Sequence, residues 1–266
     1  MRTRFLALLG LLVGLVVVPI SAQTTTYNNM YDPIPGNYIS QGFECCQMQG
    51  LGALINMSSG GTLYSATFGM SSWAKLSDWI SYSTNTGSGF TAPITLSIFD
   101  GTGGVLGSQL YTTTMDQFIP YRPEASANCG TAWMDQAGAC WNGMAFNISF
   151  SPVGWVLPQE VGWVLSYNTQ TVGYNPTGTP TPMNSINIGL RSGLGGTTIG
   201  STINAINDST SGSMFVNADY GYSPLAEFRI ADTTVPEPAT MGLLATGLVG
   251  MLGAGLKRRR SKKIVG

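Results

Sequence analysis

Histidine is absent from all 266 residues, and charged side chains make up only 9% of them. Without an imidazole the chain cannot build a Ser–His–Asp triad, a Cys–His pair or a histidine metal site within itself. It has twelve Lys and Arg in all, six of them packed between Lys257 and Lys263. The cations left over are too few to neutralise a run of phosphates, which argues against nucleic acid as a partner. Highly charged disorder is also excluded, because 43% of the residues are hydrophobic and 10% aromatic. Outside the two ends, no amphipathic helix of useful length can be drawn.

What is abundant is glycine (35) and proline (14), with much Ser, Thr and Asn. The formal charge of −1 averages unlike segments. Between Gln23 and Val235 only Lys75, Arg122, Arg191 and Arg229 oppose twelve carboxylates, so the body carries about −8 while both ends are basic. Basic ends on an acidic body suggest topology signals. At the N-terminus, Arg2 and Arg4 precede the apolar run Phe5 to Val18, which Pro19 breaks before Ile20-Ser21-Ala22. That order predicts a secretory signal over 1–22 with the mature chain starting near Gln23, in preference to a buried N-terminal helix.

At the other end, Thr233 to Pro238 leads into the uncharged segment Ala239 to Leu256, and Lys257-Arg258-Arg259-Arg260 follows at once. As a helix the segment would be about 27 Å long, close to a hydrocarbon core of about 30 Å. Charge directly behind it predicts a stop-transfer signal, with residues 257–266 held in the cytoplasm. Pro236 and Pro238 lack N–H donors and hold Val235 and Glu237 extended, giving a stiff strand accessible to a processing enzyme. Thr246, Gly250 and Ala254 form a small-residue stripe, read either as a helix-pairing face or as a mark of a weakly hydrophobic, easily surrendered helix; the second is preferred.

The combination of Val235-Pro236-Glu237-Pro238, the apolar span and the arginine run resembles the PEP-CTERM sorting signal of Gram-negative bacteria. The resemblance covers about thirty residues, Val235 to Lys263. It implies an exosortase as partner, a membrane-embedded cysteine transpeptidase-like enzyme that removes the tail. It also implies an exported protein of the cell envelope or extracellular matrix, associated with exopolysaccharide. The alternative is a permanent single-pass anchor. In Ile119 to Pro123 and Cys140 to Phe150 the body loosely resembles uncharacterised exported proteins of this type, which implies no activity.

From Gln23 to about Asp232 the dominant hydrophobic period is two. Ile94, Leu96 and Ile98 alternate with Thr95, Ser97 and Phe99; Asp100 to Gly104 reads as a turn and Val105 to Tyr111 as the return strand. Further strands are expected at Thr62 to Phe68, Lys75 to Tyr82, Thr114 to Pro120, Ala145 to Phe150, Glu160 to Tyr167, Ser185 to Arg191 and Leu225 to Ile230. Gly193 to Gly212 reads as a long loop or an irregular strand pair. The expected fold is all-β, an antiparallel, jelly-roll-like β-sandwich with long loops over 23–232. A linker over 233–238 and a transmembrane helix over 239–256 follow. Two small β domains are the alternative.

Val153 to Pro158 and Val161 to Ser166 match at five of six positions with a period of eight. Two strands around Pro158-Gln159-Glu160 would put Trp155 and Trp163 on corresponding faces. Core packing is the simpler role; the sharper one is an aromatic platform for sugar rings, a choice Trp73, Trp79, Trp133 and Trp141 share. Four cysteines in an exported chain point to disulfides, with Cys129–Cys140 the simplest pairing. Cys45–Cys46 would then be vicinal; the crossed alternative pins both to the 129–140 loop. Adjacent cysteines fit a zinc site poorly, and no metal or cofactor is expected. No spacing singles out a catalytic pair among Asp78, Asp100, Asp116, Asp135 and Glu160, so no enzyme activity is expected.

Overall fold

Strands dominate wherever β-branched, aromatic and hydroxyl residues alternate, because such side chains pack on a pleated, half-buried surface. The computed structural model describes residues 23–42, 48–151, 154–167, 182–209 and 214–231. The expected signal segment, Cys45 and Cys46, and everything from Asp232 onward lie outside them.

One sheet has eight strands: β1 (Gln23–Asn28), β2 (Ile39–Gly42), β4 (Gly61–Ser72), β9 (Met144–Phe150), β10 (Val156–Leu157), β12 (Ile186–Ser192), β15 (Tyr222–Pro224) and β16 (Ala226–Ala231). The second has six, in the order β14 (Met214–Asn217), β13 (Ser201–Ser209), β3 (Met48–Asn56), β11 (Glu160–Ser166), β5 (Gly89–Asp100) and β6 (Gln109–Pro120). A ribbon of β7 (Trp133–Met134) and β8 (Cys140–Trp141) stands apart. All pairings between named strands are antiparallel.

The two large sheets bury one continuous core between them. From β5, alternate residues Phe90, Ala92, Ile94, Leu96 and Ile98 all point inward and are fully buried. From β4, Phe68 meets Trp163 of β11 across the gap, with ring centroids 4.8 Å apart, and touches Phe150 and Phe228 edge-on. Each large apolar side chain so enclosed stabilises the fold by roughly 1.5–3 kcal/mol. A smaller cluster on the outer side of the six-stranded sheet joins Leu54, Phe99, Val164 and Ile206, covered by Leu106 and Met214. Gly52 permits the tight β3–β11 approach: a Cβ there would lie 1.7 Å from the Trp163 carbonyl oxygen.

Pro93 sits inside β5 without breaking the sheet. The β11 ladder on that flank runs only from Asp100 to Thr95, so the missing N–H has no strand to serve. A buried polar seam joins the two sheets. The Tyr27 hydroxyl lies 2.7 Å from the Thr202 hydroxyl, which lies 2.9 Å from that of Ser223. Asn29 donates to Ser223 and to the Pro224 carbonyl and accepts from the Ala226 N–H. Burial pushes the Tyr27 phenol up to about 12, despite these hydroxyl neighbours.

Several expectations are corrected. Lys75 to Tyr82 is not a strand. Its centre is a short helix, α1 (Leu76–Trp79). Glu124 takes both the Ser77 N–H and its hydroxyl, and Lys75 pairs with Asp78 at 3.1 Å one turn on. These local polar contacts outweigh a weak alternation. The return strand starts at Gln109 and continues unbroken to Pro120, merging two expected segments. Gly193 to Gly212 contains β13, an interior strand whose bulge between Thr202 and Asn204 disguises its period.

Trp163 is fully buried, and its indole N–H has no hydrogen-bond partner among the described residues. Trp163→Ala should therefore cost about 3–5 kcal/mol in denaturant unfolding, through the cavity alone. Trp163→Phe should cost only about 1–2 kcal/mol, since it sacrifices volume and no hydrogen bond. Equal losses for the two would refute this account.

Candidate functional site

Two places in the chain carry features beyond packing: the tryptophan-bearing ribbon, and the segment after Ala231. The ribbon begins where β6 ends. Arg122 is nearly buried, and its guanidinium spreads over three carbonyl oxygens: Trp73 at 3.3 Å, Pro123 at 3.1 Å and Thr131 at 3.2 Å. A buried cation satisfied by backbone oxygens fixes the chain on both sides of it. Cys129 and Cys140 are bonded, their Cα atoms 5.6 Å apart, while Cys45 and Cys46 lie outside the described residues. Closing a loop of this size adds roughly 2–3 kcal/mol by restricting the unfolded chain.

Trp133 inside that loop and Trp141 just beyond Cys140 face each other as a cross-strand pair. Both indole N–H groups are tied down. Trp133 donates to the Gly143 carbonyl and Trp141 to an Asp135 carboxylate oxygen, each at 2.7 Å. Asp135 also accepts the Ala137 and Ala139 N–H groups, so one carboxylate folds the turn and orients the ring. These bonds, the Trp141 indole first, hold its carboxyl below the usual aspartate range. Trp141 lies against Gly36, where a Cβ would come within 2.3 Å of the indole nitrogen.

Trp73 completes the group. Its ring is 42% exposed, and its N–H donates to the Ser71 hydroxyl, which donates to Asn37. Gly143 sits beside it, since a Cβ there would lie 2.6 Å from the Trp73 nitrogen. Three indoles thus converge on Gly143 and Gly36 with their polar edges engaged inward.

Of the two roles weighed for Trp155 and Trp163, Trp163 takes the simpler one, in the core, and the alternative two-ring platform is not formed. The near-repeat crosses between sheets, its first copy entering β10 and its second β11. Trp163 is core and has no face to offer a sugar. Trp155 is half-buried and stacks on Tyr111, with centroids 4.9 Å apart and planes 13° off parallel. Trp79 packs against the main core. Sequence reading missed Arg122, Asp135 and Gly36 as the parts that set the ribbon; only the Cys129–Cys140 spacing hinted at the loop.

The carboxylates considered for catalysis are dispersed. Asp100 accepts the Thr102 N–H and hydroxyl, Glu160 accepts the Gly103 N–H, and together they shape the turn after β5. Asp116 lies exposed on β6. No group of three His, Cys, Asp or Glu that would hold a metal ion occurs among the described residues.

The second place is the C-terminal segment. Val235 to Pro238 and Lys257 to Arg260 lie outside the described residues, and among those described no helix is long and apolar enough to cross a membrane. The family comparison is specific here: residues 234–260 match the PEP-CTERM protein-sorting motif. No curated protein and no solved structure matches the chain.

The Asp135 geometry has a pH consequence. A folded pKa below the unfolded value of about 3.9 means the turn gains stability above that value and loses it as pH falls through the lower, folded pKa. Trp141→Phe removes the principal donor and should raise the Asp135 pKa toward ordinary aspartate in a carboxyl NMR titration. An unmoved titration would show that the indole does not set it.

Proposed function

We propose that this chain, which carries a PEP-CTERM sorting motif and is thereby addressed to an exosortase, serves as a non-catalytic structural protein of the cell surface or extracellular matrix. The motif at 234–260 is the observation that carries the reading. It implies export across the inner membrane and a C-terminal anchor that the sorting enzyme handles. The proline-stiffened Val235 to Pro238 stretch is the expected point of processing, and the arginine run behind the apolar segment would keep the tail cytoplasmic until then. The body suits an exposed life. It is stapled by a disulfide of the kind that persists in oxidising compartments, and its surface is rich in hydroxyls and poor in charge. Asp100, Asp135 and Glu160 are committed to turns and Asp78 to an ion pair, which favours a structural role over glycoside hydrolysis.

The test is mass spectrometry of the mature C-terminus after cell fractionation. A chain ending near Pro238 is expected. A retained Arg258-Arg259-Arg260 tail would reduce the protein to a permanent membrane anchor.

A second reading, a carbohydrate-binding module, is favoured by one observation: Trp73 is exposed beside Trp133 and Trp141, with all three N–H groups already bonded to protein. Rings held by their edges are pre-organised to offer a face, and aromatic stacking is worth about 1 kcal/mol. Under this reading, tryptophan fluorescence shifts on titration with exopolysaccharide, and Trp73→Ala weakens binding roughly fivefold. A flat titration removes the module reading and leaves the sorting proposal untouched.

A further inference from the structure

β6 is the outermost strand of the six-stranded sheet. It pairs with β5 along one side, and among the described residues no strand pairs with its other side. It is twelve residues long, whereas β14 at the opposite edge has four. Sheets ordinarily guard an edge with lysine, proline, a bulge or a covering segment. β6 has no lysine, a single charge at Asp116, and proline only at its last position. Its one bulge, at Leu110, lies near its start, and its register against β5 runs without a shift from Tyr111 to Pro120. It also exposes Leu110 (38%), Met115 (40%) and Phe118 (50%).

The strand is complementary to itself when reversed about Thr114. Along the regular run its solvent face carries Thr112, Thr114, Asp116 and Phe118, with Leu110 exposed in the bulge just before it. An antiparallel second copy related by a two-fold axis at Thr114 sets Leu110 against the partner's Phe118, Thr112 against the partner's Asp116, and Thr114 against itself. On the other face Met115 meets the partner's Thr113. Moving the axis to Thr113 would set Leu110 against Asp116. Moving it to Met115 would set Phe118 against Thr112. Only the Thr114 axis brings together Leu110 and Phe118, the exposed apolar side chains at the two ends of this edge. It also keeps the two Asp116 carboxylates four residues apart, about 13 Å, beyond the screening length at physiological salt. The solvent face is already ordered for such a contact. The Thr114 hydroxyl bonds that of Thr95 at 2.7 Å, and Thr112 bonds Ser97 at 3.1 Å.

We propose that β6 pairs antiparallel with β6 of a second copy of this chain about a two-fold axis at Thr114, joining the two six-stranded sheets edge to edge. The contact is isologous and closed, so it yields a dimer and not a fibre. It satisfies the strand's outward N–H and C=O groups and covers Leu110 and Phe118. It is independent of the sorting reading and of the sugar reading.

The test places a thiol on the axis of the full-length chain in detergent. Residues directly opposite in an antiparallel pair have Cα atoms about 4.5–5.5 Å apart, within disulfide reach. Under mild oxidation Thr114→Cys should give at least tenfold more covalent dimer than Thr112→Cys, whose thiol faces Asp116. Mass spectrometry should show position 114 joined to position 114. Leu110→Cys combined with Phe118→Cys should also cross-link. Equal dimer yields from positions 112 and 114, or a bond from position 114 to another segment of the same chain, would overturn the proposal. As a second measurement, Thr114→Lys sets two ammonium groups face to face. It should raise the concentration needed for dimer by at least tenfold in light scattering, with an unchanged far-ultraviolet dichroism spectrum. Undiminished association would likewise overturn it.

Discussion

The contact between Trp163 and Phe68 is what the rest of the body depends on. One ring comes from the six-stranded sheet and the other from the eight-stranded sheet, and their centroids are 4.8 Å apart. Phe150 and Phe228 close on Phe68 from neighbouring strands, so four strands converge on one aromatic knot. Aromatic clusters of this kind combine large apolar area with defined edge-to-face geometry. Gly52 lets β3 lie close against Trp163's own strand, and Ala53 stands directly opposite the indole in the register. Small residues around a large one are how a close-packed interior accommodates a tryptophan.

How far the fold was legible depended on whether periodicity survived locally. In β5 the alternation is clean and its inward set is the observed core, because β6 pairs with it along nearly its whole length and no bulge interrupts β5 itself. β13 carries a bulge at Thr202–Asn204, which shifts inward residues out of step and makes a strand look like a loop. Lys75 to Tyr82 failed for a different reason: its conformation is set by Glu124, 47 residues from Ser77, a contact no local pattern contains. The near-repeat around Trp155 and Trp163 does form two strands, but they join opposite sheets, so the two rings do not share a face. The sorting signal was fully legible, since it consists of composition in a fixed order and needs no tertiary partner.

The ribbon shows the same division. The cysteine spacing was readable, whereas Arg122 and Asp135 act through backbone groups that only folding brings near. Arg122 binds the carbonyls of Trp73 and Thr131, which are 58 positions apart in the chain. An arginine in a chain so poor in cations invites a functional role, and here it serves as an internal bracket. The ribbon is therefore attached to the sandwich at its base by a buried cation, cross-linked through Cys129–Cys140, and shaped at its turn by one carboxylate.

The first and last strands of the sandwich lie side by side, Gln23 opposite Ala231. β16 also brings Phe228 to the aromatic knot and pairs with β4. β1 also bonds the Ser58 N–H and bridges Ile199, but its one strand partner among the described residues is β16, about 200 residues further along the chain. The strand that joins the sandwich's first element to its aromatic knot is the last described one, just ahead of the sorting segment in the sequence. The two ends of the sandwich are thus held by each other, and the β1–β16 ladder exists only when the whole of 23–231 is in place.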